Sequence, residues 1–287
     1  MVKTICIIGV GLIGGSLASG LRKQNWCESV VGIDQQQHAI DEAMRLGVID
    51  DGYTSVSDCP VVPDLVVIAV PVLNIAAIFE QLTPWLDKCM AITDVSSTKQ
   101  SVIDDFNRVF PDLLSHCFVP GHPIAGREQS GVGAAIDDLF NHRKVILTPV
   151  EQTAKNSLSL VTDMWQQVGA NVEQLEAKVH DQILAATSHL PHALAFSLVH
   201  CLSTQSHTEE IFRYAAGGFA DFTRIASSDP TVWRDICLSN REELLEALSH
   251  FDKSLQQLRD GLQASDGNAL EKIFIDAKNA RDKYSSC

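Results

Sequence analysis

The sequence has no cluster of lysines and arginines, no CxxC pair and no uninterrupted apolar run long enough to cross a bilayer. Each absence removes a class of protein. Binding to nucleic acid needs a contiguous basic surface to neutralise phosphates, and a formal net charge of -14 offers none. Any anionic small ligand must therefore be gripped locally. The eight cysteines, Cys6, Cys27, Cys59, Cys89, Cys117, Cys201, Cys237 and Cys287, are scattered. Several sit in apolar runs where a reduced thiol packs as a small hydrophobe, which points to a reducing compartment, the cytoplasm. Lys3 followed by the apolar stretch Ile5 to Leu21 imitates a secretory leader. That stretch carries five glycines and passes from strand to helix character, so neither a leader nor a membrane span is expected. Internal repeats, low-complexity tracts and long linkers are missing too, so neighbouring domains are expected to pack directly on each other.

What is present is enough apolar material for two domains: 287 residues, 45% of them hydrophobic. Short β-branched runs recur at Lys3 to Ile8, Ser29 to Ile33, Leu65 to Val70, Ala91 to Asp94, Cys117 to Val119 and Lys144 to Thr148, with a seventh near Asn171 to Leu175. Helical patterns such as Gly14 to Arg22 and His38 to Leu46 lie between the early ones. This alternation predicts an α/β fold, a doubly wound parallel sheet of the Rossmann type with helices on both faces. After Glu176 the β-branched runs stop, and Leu, Ala, Glu and Gln recur at helical spacing. Residues 1–176 are thus expected to form the sheet domain and 177–287 an all-helical one. In the latter, Gly217 and Gly218 are expected to end one helix, Asp229 and Pro230 to begin the next, and Asp266 to Asn268 to mark another break.

Gly9, Gly11 and Gly14 form GxGxxG directly after the first strand and before a helix, with Leu12 and Ile13 completing the turn. The first glycine suits a tight turn, the second lets a pyrophosphate approach the backbone, and the third lets the helix pack against the strand. Asp34 ends the second strand, twenty positions beyond Gly14. A carboxylate there would accept hydrogen bonds from ribose hydroxyls and repel a 2'-phosphate, which favours NAD over NADP. Val70 and Pro71, at another strand end, would lie beside the cofactor, although Pro71 also serves as a plain strand terminator.

Four further segments are unusually polar. Asp94 to Lys99 is a hydroxyl-rich turn after a strand, for which ordinary helix capping is the plainer explanation. In Val119 to Gly126, His122 is held between prolines and glycines that would fix its direction, as a base requires, or is simply a loop histidine. Ser188, His189, Pro191 and His192 interrupt a long apolar helical segment. A mid-helix proline costs about 3 kcal/mol, so it should mark a helix start or a kink with a purpose. No carboxylate or thiolate joins His180, His189 and His192 into a ligand set, so anion or hydroxyl binding is expected rather than a metal. Finally, Arg224 follows Gly217, Gly218 and aromatic residues, a setting for bidentate capture of a carboxylate or for a solvated helix face.

Taken in order, GVGLIGGSLA, Asp34, DVSSTK, VPGHPIAGRE, SHLPH and GGFADFTRIASSDPTVWRDI closely resemble the prephenate dehydrogenase family, which includes arogenate and cyclohexadienyl dehydrogenases. The likeness covers nearly the whole chain. It implies an NAD-binding domain, a helical domain through which a homodimer forms, and an active site between the two. It implies that His122 is the catalytic histidine, which hydrogen-bonds the ring hydroxyl, and that Ser97 orients it. Arg224 would bind the ring carboxylate, Ser188, His189 and His192 would line the substrate side, and Trp233 would match a tryptophan contributed by the partner subunit. Ala220 departs from relatives that carry a charge there, with little consequence expected. No fused chorismate mutase or ACT-type segment is in view, so regulation by a separate domain is not expected, though tyrosine could compete at the active site. A β-hydroxyacid dehydrogenase would need a catalytic lysine in the helical half, which the sequence does not offer. An NAD-sensing scaffold would not need His122, Ser97 and Arg224 together.

Overall fold

The computed structural model describes residues 2–111, 116–127 and 129–284. Glu128 of VPGHPIAGRE and Cys287 lie outside the described residues; the seven described cysteines are free thiols. Six parallel strands make the main sheet: β1 (Val2–Ile8), β2 (Cys27–Ile33), β3 (Asp51–Tyr53), β4 (Leu65–Ile68), β5 (Ala91–Asp94) and β6 (Phe118–Val119). Their order is β3-β2-β1-β4-β5-β6. The chain therefore winds outward one way from β1 and then returns to wind the other way from β4. The carboxyl ends of β1 and β4 flank the point of reversal, where such sheets open a crevice.

The alternation within the strands explains why the sheet is covered on both faces. Ile5 and Ile7 of β1, with Leu65 and Val67 of β4, join one apolar cluster, which includes Leu17, Phe140 and Trp165. Cys6, Ile8, Val66 and Ile68 join the other, with Phe79, Phe106 and Phe118. Helix α1 (Leu12–Lys23) and α2 (Gln37–Arg45) pack on the first face, and α3 (Ile75–Leu82) and α4 (Gln100–Val109) on the second. A strand segment buried on both sides must be apolar at every position, which is the pattern of Ile5 to Ile8 in β1 and of all of β4.

A second, three-stranded sheet stands apart from the first: β7 (Gly121–Pro123), β8 (Lys144–Leu147) and β9 (Asn171–Gln174). The last two runs seen in the sequence thus pair with each other in parallel, across α5 (Lys155–Gln167), and not with the Rossmann sheet. Strand β7 runs antiparallel to β8, pairing His122 with Ile146. Pro120 separates β6 from β7 because it has no N–H to carry a ladder on, while its carbonyl accepts from Thr148 N at 2.9 Å.

Every described element beyond β9 is helical. Helix α6 (Ala177–Leu184) runs through a π-helical turn, Ala185–His189, into α7 (Leu190–Ser203). The wide turn sits just ahead of Pro191, whose missing N–H and ring forbid a regular α-helical bond to the residue four back. There follow α8 (Thr208–Arg213), α9 (Gly217–Thr223), a 3-10 turn (Arg224–Ser227) and α10 (Pro230–Ser239). The expectation that Gly217 and Gly218 end a helix is wrong: α8 stops at Arg213, and the two glycines form the first turn of α9 after an extended Ala216. The start of α10 is as expected, with Asp229 Oδ1 accepting from Thr231 N at 2.8 Å and Val232 N at 3.0 Å.

Backbone contacts gather Met1–Asn240 into one compact unit and Arg241–Cys287 into another. The second consists of α11 (Arg241–Gln263) and α12 (Gly267–Tyr284), which pack against each other. Asp266 caps the break between them, accepting from Ala269 N at 3.0 Å. No helix among the described residues is long and apolar enough to cross a membrane.

Candidate active site

A cleft of about 890 Å³ opens in the first unit where β1 and β4 end. It is lined by Gly11, Leu12, Ile13, Val70 and Pro71 around the sheet, by His192, Arg224 and Trp233 from the helices, and by Ser96 and Ser97. These ten residues, all in segments singled out in the sequence, therefore share one cavity. Gly9, Gly14, Asp34, His122, Ser188 and His189 are not among the residues that line it.

The glycine turn is built for close approach. Gly9 has φ +96°, and a Cβ there would overlap the Ala69 carbonyl oxygen. A Cβ on Gly14 would overlap the carbonyl oxygen of Gly9, whereas one on Gly11 would meet no atom within 4 Å. Two glycines thus hold the turn tight, and the third borders open space at the N-terminus of α1. No side chain caps that helix, and its first turn carries no acidic residue, so its N–H groups face the cleft with their positive end unopposed. Asp34 is fixed by Gln36 N at 3.0 Å and, at 3.3 Å, by Val10 N. The cradle fits a dinucleotide: a pyrophosphate against Gly11 and the helix end, ribose hydroxyls at Asp34.

The turn after β5 is less a row of exposed hydroxyls than a buried clamp. Asp94 and Lys99 are fully buried and ion-paired to each other. Asp94 also accepts from Ser96 N at 2.9 Å and Gly121 N at 3.1 Å, and Lys99 Nζ donates to the Gly121 carbonyl at 2.6 Å. Both groups thereby grip the residue preceding His122. Burial draws the Lys99 pKa down, while Asp94 and, more remotely, Asp181 push it back up. Such a pair gives little net stability, but removing one partner would leave a buried charge and cost about 3–5 kcal/mol.

His122 is 8% exposed, and its Nδ1 lies 2.9 Å from Nε2 of His180. His180, also buried, places Nδ1 2.7 Å from Asp181 Oδ1. Asp181 in turn accepts from Lys99 N and Gln100 N, both at 2.8 Å, at the start of α4. Burial holds the pKa of His122 well below the usual histidine range, and His180, Lys99 and His189 reinforce the shift. A neutral imidazole follows, which is the protonation state of a base. The resemblance assigned the orientation of His122 to Ser97; here His180 holds Nδ1, and Ser97 stands half-buried on the cleft wall.

Asn240 ties the next imidazole into this group. Its Nδ2 donates to the Asp181 carbonyl at 2.9 Å, which fixes which end of the amide is nitrogen, and also to His189 Nδ1 at 3.0 Å. His189 must therefore accept at Nδ1 and carry its proton on Nε2, which is buried without a partner. Burial lowers its pKa to about 4, with Asp181 opposing. His192 donates from Nδ1 to the Ser188 carbonyl at 2.9 Å and stacks on Trp233 with ring centroids 3.5 Å apart. Its pKa is lowered by burial and, against the pull of that carbonyl, by the charge of Arg224 nearby.

Two more residues complete this wall. Trp233 lines the cleft of its own chain, because the Asp229 cap starts α10 where its first turns face α7. Arg224 borders the cleft and is exposed. Missed in the sequence altogether were Lys99 and Asp94 as a buried clamp, and Asp181 and Asn240 as partners of histidines. His180 drew attention only as a rejected metal ligand. The available signal was a His-Asp pair on the apolar face of a helix, where buried polar groups demand partners.

Comparison with known proteins bears directly on this arrangement. A family model described as the prephenate dehydrogenase nucleotide-binding domain matches residues 17–174, and one described as the prephenate dehydrogenase dimerization domain matches 176–276. The chain is 37% identical to the prephenate dehydrogenase of Bacillus subtilis (strain 168), over 98% of this chain and 76% of that protein. It is 36% identical to the cyclohexadienyl dehydrogenase of Zymomonas mobilis, over 97% of this chain and 95% of the relative. Among solved structures, the prephenate dehydrogenase of Aquifex aeolicus in complex with hydroxyphenyl propionate and NAD+ superposes with a TM-score of 0.91. It is 39% identical, with 98% of each chain covered.

Proposed function

Because the chain belongs to the prephenate dehydrogenase family, we propose that it oxidises and decarboxylates prephenate to 4-hydroxyphenylpyruvate with reduction of NAD+. The observation that carries this reading is a single cleft lined both by the nucleotide cradle and by His192, Arg224 and Trp233. Gly9, Gly11, Leu12, Ile13 and Gly14 hold the cofactor's pyrophosphate, Asp34 its adenosine ribose, and Val70 and Pro71 flank it. The preference for NAD over NADP rests on the Asp34 carboxylate. Bound NAD+ supplies the acceptor for the hydride that leaves C4 of the ring.

In this reading neutral His122 takes the proton of the C4 hydroxyl through Nε2. The C1–carboxylate bond then breaks, carbon dioxide leaves, and its electron pair makes the ring aromatic. The resulting phenolate oxygen recovers the proton from the imidazolium. Ser97, on the cleft wall near the hydroxyl, assists in placing it. Arg224 binds the ring carboxylate, with Ser188, His189, His192 and Trp233 enclosing the rest of the substrate. His189 contributes the buried Nε2–H, the one fully buried donor of this group without a protein partner among the described residues.

We place the boundary between the nucleotide-binding and helical domains at 176/177, the enzyme in the cytoplasm, and its assembly as a homodimer through the helical domain. The family model for the dimerization domain supports the last of these. Arogenate is the alternative substrate, since the chemistry at C4 and C1 is the same for both. Reduced-cofactor absorbance with prephenate or arogenate as substrate decides between them. His122→Ala should lower kcat by about 10²–10⁴-fold with little change in KM, and undiminished turnover would refute the assignment of the base.

A further inference from the structure

We propose that His180 is a positioning residue for the base: together with Asp181 it fixes His122 in the tautomer that carries its proton on Nδ1 and leaves Nε2 as an acceptor. The argument is a count of protons along a buried chain of hydrogen bonds. Asp181 receives backbone N–H groups on both oxygens, from Lys99 and from Gln100, at the N-terminus of α4. A carboxylate so held is an acceptor only. The 2.7 Å contact from His180 Nδ1 to Asp181 Oδ1 therefore puts the His180 proton on Nδ1.

A neutral imidazole protonated there has a lone pair on Nε2, and that atom faces His122 Nδ1 at 2.9 Å. His122 must donate, so its own lone pair resides on Nε2. The alternative, a His180 protonated on both nitrogens, would set a second buried cation near the fully buried Lys99 ammonium. Asp94 is already paired with Lys99, and the Asp181 carboxylate that would pair with such a cation is already offset by two backbone N–H groups at the N-terminus of α4. The 71° angle between the two imidazole planes shows that they meet edge to face, with a ring nitrogen of each in line, and do not stack. When His122 accepts a proton, its Nδ1–H keeps donating into a chain that ends on a carboxylate, so the new charge forms beside a fixed dipole.

The inference rests on His122 being the base, and the tests keep the two ideas separate. The first is the 15N ring spectrum of histidine-labelled enzyme, with His122 assigned from its own variant. A protonated Nδ1 and an unprotonated Nε2 on His122 are expected; the proton on Nε2 overturns the proposal whatever the kinetics say. The second is His180→Phe, similar in size and without an acceptor. It should lower kcat on the order of 10²-fold, with KM for prephenate and NAD+ within about threefold, and should move the His122 proton toward Nε2. His180→Gln, whose amide can both accept and donate, should recover part of the loss. Turnover lost in His122→Ala but kept in His180→Phe sinks the positioning role alone; turnover kept in His122→Ala sinks the base reading instead. A His180→Phe protein that fails to fold leaves the spectrum of the unsubstituted enzyme to decide.

Discussion

Lowering the pH from 8 to 5 should cost the folded chain about 2 kcal/mol through His189 alone. Burial lowers the pKa of this imidazole to about 4, whereas in an unfolded chain it titrates near 6.5. Protons therefore bind the unfolded chain first, and stability that is fully present above about pH 6.5 is lost as the pH falls toward 4. The gap of about 2.5 units is worth about 3.4 kcal/mol in total, at 1.36 kcal/mol per unit, of which about 2 is lost by pH 5. His122 acts in the same direction, so a comparison of variants is needed to isolate the contribution. Urea unfolding at pH 8 and pH 5, at one protein concentration, should show that the unsubstituted chain loses about 2 kcal/mol more across the interval than His189→Phe does. The variant itself should be less stable at pH 8, because Asn240 Nδ2 loses its acceptor. Equal losses in the two proteins would show that His189 is not held neutral by its surroundings.

The remaining predictions concern Asp34 and Arg224. Asp34→Ala removes a carboxylate whose hydrogen bonds to ribose hydroxyls should be worth about 1.5–3 kcal/mol, so KM for NAD+ should rise roughly 10- to 100-fold and discrimination against NADP+ should relax; unchanged selectivity in steady-state assays would refute the role. Arg224→Ala should raise KM for prephenate roughly 30-fold, near 2 kcal/mol, at the low end for a charged pair because the residue is exposed. NAD+ affinity by fluorescence titration should not move, and a loss there would show that Arg224 serves the cofactor.

The legible parts of the sequence were those governed by local pattern. Strands β1, β2, β4 and β5 are each built around a short β-branched run, and the glycine turn sits where strand character gives way to helix character. Strand β3 escaped notice because Asp51, Gly52 and Tyr53 have neither β-branching nor alternation, and the segment pairs only because β2 offers it an edge. Strand β7 reads as a loop, since Gly-His-Pro has poor strand propensity, and its antiparallel pairing with β8 is what orders it. The site divided along the same line. Residues facing the cleft belong to compact motifs, but the partners behind them join positions far apart: Lys99 to Asp181, His122 to His180, Asp181 to Asn240. No spacing rule encodes such contacts, although the rule that a buried polar side chain must have a partner would have flagged His180 and Asp181.

The π-helical turn at Ala185–His189 carries one more residue than an ordinary helical turn would. Each residue of an α-helix advances the azimuth by about 100°, and the wide turn takes up its surplus residue with little of that advance. His180 and Asp181 before it, His189 at its end and His192 after it converge on one locality only because of that slack. The same residues wound as an unbroken α-helix would swing the downstream imidazoles about a quarter-turn out of phase with the upstream pair, whereas excising Ala186 would let the turn close with the two sets still in phase. The alignment of the four side chains thus depends on the turn staying wide for as long as the surplus residue is there.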